Sequence, residues 1–116
     1  MCIRDRRYSR DFDSVDVVVS GIPYDSAVTY RSGCRLGPRA IRAGSVQLAE
    51  LEHFPFGFNP FDHLSVIYFG DCFLDPHHPG TVFDSITDHA DAIIATGAKM
   101  LSLGGDHDIA LSLIHI

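Results

Sequence analysis

The sequence has no tryptophan, no paired-cysteine pattern and few cations. Each shortage excludes something. Nine Lys and Arg against fifteen Asp and Glu give a formal charge of −6, so no basic stripe is available to neutralise nucleic-acid phosphates. A cationic substrate is compatible with that balance. The three cysteines, Cys2, Cys34 and Cys72, are odd in number and irregular in spacing, which is neither a disulfide framework nor a CxxC zinc pair. Reduced thiols in a cytoplasmic protein are the expectation. No apolar run approaches the ~18–20 residues that a membrane span needs. Met1–Arg6 also lacks the apolar stretch of a signal peptide. Nucleic acid and membrane are therefore not expected as partners.

The 116 residues, 46% hydrophobic and 21% charged, suit one small globular domain or a piece of a larger one. The end hexamers, Met1–Arg6 (MCIRDR) and Leu111–Ile116 (LSLIHI), resemble translated sequencing-adapter read-through. Ile116 also stops inside what reads as a starting helix, without a cap. Residues 1–6 and 111–116 are accordingly expected to be artefacts flanking a body of residues 7–110.

Within that body, Asp16–Ser20 is a short β-branched run closed by Gly21-Ile22-Pro23, as suits a strand buried on both faces. Tyr24–Leu36 is polar and glycine-bearing, hence loop. Gly37-Pro38 opens a helix, because proline in the first turn loses no needed N–H. Ala40, Ile41, Val46, Leu48, Ala49 and Leu51 follow at roughly helical spacing. His53–His63 reads as an ordered turn whose four phenylalanines must pack somewhere. Leu64–Phe69 is a second strand ended by Gly70-Asp71. Thr81 is placed to cap a helix running to about Thr96, with Val82, Ile86, Ala90, Ile93 and Ile94 on one stripe and Gly97 at its C-terminal stop. Met100–Leu103 is a third strand, closed by Gly104-Gly105-Asp106-His107. Strands alternating with helices imply right-handed crossovers and a parallel sheet. Such sheets carry their sites at the C-terminal strand ends. Here those ends bear Asp25, Asp71, and Asp106 with His107, a pattern that points mildly to a cation or metal.

Gly104-Gly105-Asp106-His107 is the strongest local signal. Two glycines after a buried strand allow a sharp turn and close approach of a second element. The turn aims His107 into the crevice above the sheet, where an imidazole can bind a divalent metal. A hydrogen-bonded loop histidine is the commoner role for such a residue. The stretch Arg31–Arg42 carries four arginines before and within a helix start. It reads either as an anion site at that terminus or as a positioning loop whose arginines pair with carboxylates across a subunit contact, and it lacks any nucleotide spacing motif. His77-His78 reads as a solvated turn, and His53, His63 and His89 as structural.

In order and spacing these pieces resemble the ureohydrolase (arginase/agmatinase) family. Gly21–Asp25 (GIPYD) resembles its first-strand motif, and Tyr30–Arg42 (YRSGCRLGPRAIR) resembles the loop of the agmatinase branch. Gly70-Asp71 matches the end of its second strand, and Leu103–His107 (LGGDH) its first metal motif. The resemblance covers residues 8–110 and makes the body the N-terminal part of a single ureohydrolase domain.

That resemblance implies an α/β fold, a three-layer α-β-α arrangement around a parallel sheet, with only the N-terminal part of the fold present. It also implies two Mn²⁺ per active site, with His107 as a metal ligand. The reaction implied is hydrolysis of a guanidinium C–N bond, agmatine to putrescine and urea, by a manganese-activated hydroxide. The substrate would be a small cationic guanidino compound, and the full-length protein a homo-oligomer. Neither D-A-H-x-D nor a D-x-D metal motif occurs in this chain, so the 116 residues by themselves are expected to be inactive. An incomplete parallel sheet leaves an exposed edge and an uncovered apolar face, so the isolated chain is also expected to be poorly soluble. Guanidinobutyrase or another guanidino-acid ureohydrolase is the neighbouring alternative. A non-catalytic α/β binding module, or a remnant, is the alternative of another class.

Overall fold

The computed structural model describes residues 9–48 and 52–114. Strands β1 (Val17–Ile22), β2 (Val66–Asp71) and β3 (Lys99–Gly104) form one parallel sheet in the spatial order β2-β1-β3. Parallel neighbours require long crossovers. Helix α1 (Gly37–Ser45) lies in the connection from β1 to β2, and α2 (Val82–Ile94) in that from β2 to β3. A short α3 (Ile109–Ile114) follows β3. Among the described residues no helix is long and apolar enough to cross a membrane.

The side-chain alternation of β1 divides the layers. Val18 clusters with Ile93, and Ile22 with Val82 and Ile86, so one face of the sheet is covered by α2. Gly21 faces the other way, toward Pro38 of α1 and Asp71. The result is the α-β-α layering that the family resemblance implies. Burying each large aliphatic side chain of the α2 stripe contributes about 1.5–3 kcal/mol. Val82, Ile86, Ala90 and Ile93 are buried as the periodicity predicts, whereas Ile94 is half exposed at the stripe's edge.

Several boundaries differ from the sequence pattern. β1 runs two residues past Ser20, because Gly21 and Ile22 still pair with Leu103 and Gly104. Thr81 does not cap α2: its hydroxyl donates to the His78 carbonyl at 2.9 Å. The tight turn Pro79–Thr81 has already wound the chain there, so Thr81 lacks the extended backbone of a capping residue. Gly97 does adopt a positive φ of 85° just beyond the helix, as a stop glycine does. α1 is shorter than its apolar pattern and passes into a tight turn at Val46–Leu48. Ile41, Val46 and Leu48 are all largely exposed, and Ala49 and Leu51 lie outside the described residues. Phe54, Phe56 and Phe58 find no core either; Phe56 stacks on His53 and Phe58 meets His63 edge-on at the surface.

A bulge sets how β2 presents its end. Pairing with β1 shifts between Val19 and Ser20, and Gly70 takes a φ of 109°. The Ser20 hydroxyl donates to the Gly70 carbonyl at 2.8 Å and lies 2.6 Å from His89 Nε2, which donates to it. His89 is therefore a structural residue, as its isolation in the sequence suggests. Burial lowers its pKa first, the Arg10 charge adds to that, and Asp71 opposes it.

Candidate functional site

The three strand ends open onto the same edge of the sheet, but their carboxylates do not converge. Asp25, after β1, accepts the Gly33 amide at 2.7 Å and the Arg35 guanidinium at 2.8 Å. The Gly33 bond and the Arg35 bond and charge hold its carboxyl below the usual range, against a smaller push from burial. Asp71, at the end of β2, takes both prongs of Arg42 at 2.7 and 3.0 Å and the Tyr68 hydroxyl at 2.5 Å. Burial raises its pKa, but the bonds from Arg42 and Tyr68 and the Arg42 charge outweigh that, and the net direction is down. The Arg42 guanidinium also lies 4.8 Å from the centre of the Tyr68 ring.

These pairs correct the suggestion that three strand-end carboxylates mark one cation site. Two of the three are neutralised by arginines, and among the described residues no group of three or more His, Cys, Asp or Glu could hold a metal. They also bear on the two readings of the Arg31–Arg42 stretch. The carboxylate pairs favour a positioning loop, but Arg35 with Asp25 and Arg42 with Asp71 form within this chain, not across the subunit contact that the sequence suggests. Arg31 stacks on Tyr30 at 4.9 Å. His78 pairs with Asp75 at 2.8 Å in an exposed turn, in line with its sequence reading.

Asp106 behaves differently. It is buried, 8% exposed, and its two oxygens accept the Ala27 amide at 2.9 Å and the Asp108 amide at 3.0 Å. Its own amide donates to the Tyr24 carbonyl at 2.8 Å. The loop after β1 and the turn after β3 are thereby fastened side by side. Between them lies an open pocket of about 560 Å³ lined by Ala27–Arg31 and Cys34 on one side and by Asp106, His107 and Asp108 on the other. His107 is exposed at this pocket, and its imidazole has no hydrogen-bond partner among the described residues. Local pattern singles out His107 and places Asp106 beside it at the strand end. It does not reveal how Asp106 is used, because its partners are up to 79 positions away.

Glycine is required at the junctions. A Cβ on Gly105 would collide with the Tyr24 backbone, and one on Gly21 with the Asp71 carboxylate. A Cβ on Gly37 would come within 2.6 Å of the Gly104 carbonyl oxygen. The close approach expected of the Gly104-Gly105 pair is thus present, against the loop after β1 and the start of α1.

This parallel α/β sheet, with a histidine-bearing glycine turn at its C-terminal edge, has the arginase-like fold of the solved structures it superposes on. The chain belongs to the arginase family, whose model matches residues 15–115. It is 58% identical over 109 residues to an agmatinase of Chromobacterium violaceum, covering 94% of this chain and 34% of that protein. A crystal structure of a hypothetical agmatinase from Burkholderia thailandensis superposes with a TM-score of 0.93 at 56% identity, over 97% of this chain and 35% of the other. Proclavaminate amidino hydrolase of Streptomyces clavuligerus gives a TM-score of 0.82 at 30% identity, over 97% of this chain and 37% of the other. The chain spans about a third of the length of these relatives.

Proposed function

We propose that the full-length protein is an agmatinase-like ureohydrolase that cleaves a guanidinium C–N bond, converting agmatine to putrescine and urea. The observation that carries this reading is the 58% identity to an agmatinase over nearly the whole chain. The position of His107 at the strand-end pocket is consistent with it.

Arginase-family enzymes are generally manganese-dependent. Two Mn²⁺ ions, when bound, supply Lewis acidity and lower the pKa of water enough to provide a nucleophile at neutral pH. His107 is the ligand this chain would contribute, through a neutral imidazole nitrogen of the kind that joins carboxylates in manganese sites. A single imidazole does not fit the whole group, and the described residues offer no further cluster. The 116-residue chain alone is therefore proposed to be inactive and to bind Mn²⁺ weakly, since such sites need several convergent, well-supported ligands. What the chain's own residues supply is placement. Asp25 and Arg35 hold the loop after β1, and Asp106 holds that loop against the turn bearing His107. The net negative charge favours encounter with a small cationic guanidino substrate. In this reading the protein is cytoplasmic and homo-oligomeric, with neither nucleic acid nor membrane as a partner.

The test is urea release by the purified full-length protein loaded with Mn²⁺, with agmatine and 4-guanidinobutyrate compared side by side. Agmatine should be the faster substrate, and His107→Ala should lose at least ~100-fold in activity together with bound manganese. Absence of urea from every guanidino compound would overturn the reading. A second reading, a guanidino-acid ureohydrolase, is favoured by the likeness to proclavaminate amidino hydrolase. Faster turnover of the carboxylate-ended compound would select it.

A further inference from the structure

We infer that Asp106 is a positioning residue, a clasp that sets the width of the pocket and the placement of His107. The two walls of the pocket come from segments far apart in sequence, residues 27–34 after β1 and residues 106–108 after β3. Sheet hydrogen bonds end at Ile22 and Gly104, so nothing in the β1–β3 ladder fixes these walls to each other. Three features beyond the ladder do. The Asp106 amide donates to the Tyr24 carbonyl, Gly105 lies against the Tyr24 backbone where no Cβ would fit, and the Asp106 carboxylate accepts the Ala27 amide.

Of these three, the carboxylate alone bonds residues of both walls. Its Oδ2 takes Ala27 N at 2.9 Å while its Oδ1 takes Asp108 N at 3.0 Å, on the far side of His107. His107 is thus flanked by a residue whose side chain captures the amide of the residue after it. That geometry fixes the turn's backbone and leaves the imidazole itself uncommitted. A buried carboxylate with two amide donors is held more strongly than a neutral acceptor would be, because bonds to a charged acceptor are the stronger kind. Asparagine would keep one acceptor oxygen and set an NH₂ against the other amide, so it can satisfy one wall and not both. Alanine satisfies neither. The consequence for catalysis rests on the role proposed for His107; the clasp does not, and the two fail separately.

The experiment is residue-resolved amide hydrogen exchange on the full-length protein without added metal, comparing wild type with Asp106→Asn and Asp106→Ala. In wild type the Ala27 and Asp108 amides should exchange slowly. Asp106→Ala should speed exchange at both by about 10–100-fold, the loss of a bond to a charged acceptor. Asp106→Asn should speed it at one, with the amides of β1 and β3 unchanged in both variants. Unchanged protection at both amides, or an equal loss across the strands, would overturn the clasp. Should neither variant fold, the wild-type protein still decides: free exchange at Ala27 and Asp108 would refute it, and protection at both would support it. If protection falls as expected while urea release by the manganese-loaded Asp106→Ala protein stays at the wild-type level, the clasp stands and the role of His107 does not.

Discussion

The Gly105 Cα sits against the Tyr24 backbone with no space for a methyl group, and the obstacle is main chain that cannot rotate away. Gly105→Ala should therefore separate the two loops and destabilise the full-length protein by about 1–3 kcal/mol, the usual cost of overpacking. Chemical denaturation of wild type and variant would check this; equal midpoints would contradict the close approach. Cysteine reactivity gives another residue-scale test. Burial and the neighbouring Asp71 charge push the Cys72 thiol up to about 11, so it is protonated and inaccessible under ordinary conditions. Cys34 is partly exposed in the pocket wall. Peptide mapping after maleimide labelling should find Cys34 modified in the native full-length protein and Cys72 modified only after denaturation.

Among elements, α1 is anchored to the sheet by the Arg42–Asp71 pair and α2 by His89. Asp71 has its carboxyl held down in the folded state, so its contribution is complete above the unfolded value of about 3.9 and is lost as pH falls below that and on through the lower folded-state value. The pair is only partly buried, and Arg42→Ala should cost about 1 kcal/mol near neutral pH, an effect that fades with salt. His89 has a depressed pKa in the folded state, so it too stabilises above its unfolded value, about 6.5, and its contribution falls as acid protonates the unfolded chain. Protonation would also disturb the packing of its ring against Phe69, over which the Arg10 guanidinium lies. His89→Gln keeps a donor for Ser20 without a titrating ring. The drop in thermal midpoint between about pH 7.5 and about pH 5.5 should be smaller in this variant than in wild type, and an identical drop would exclude His89 as its source.

At the scale of the whole molecule, the described residues form one three-stranded sheet with outer edges on β2 and β3, and many large apolar side chains are exposed. Leu101 on β3, Ile41, Val46 and Leu48 on and after α1, and Phe54 and Phe56 all face solvent among the described residues. Surfaces of this kind associate when nothing covers them. The isolated 116-residue chain should elute as aggregate rather than as a sharp monomer in size-exclusion chromatography, and should release no urea from agmatine with Mn²⁺ present. A monomer with a cooperative thermal transition would instead identify a self-sufficient folding unit.

The sequence by itself determined the order of elements, because hydrophobic periodicity and turn residues act locally. The α2 stripe, the stop at Gly97 and the glycine turn bearing His107 are all legible in a few consecutive residues. So was the family, through four short motifs in order, of which Gly21–Asp25 and Leu103–His107 lie on adjoining strand ends. The tertiary structure decided how the polar side chains were used. Asp25 and Asp71 look like site residues in the sequence and prove to be arginine partners, while Asp106 acquires its two backbone amides and its role only when β1 and β3 lie side by side. Thr81 failed as a cap because the preceding turn, not its own residue type, set its backbone. Local pattern fixes where a strand or helix runs, but a carboxylate's partner is chosen by distance in space, which no spacing along the chain encodes.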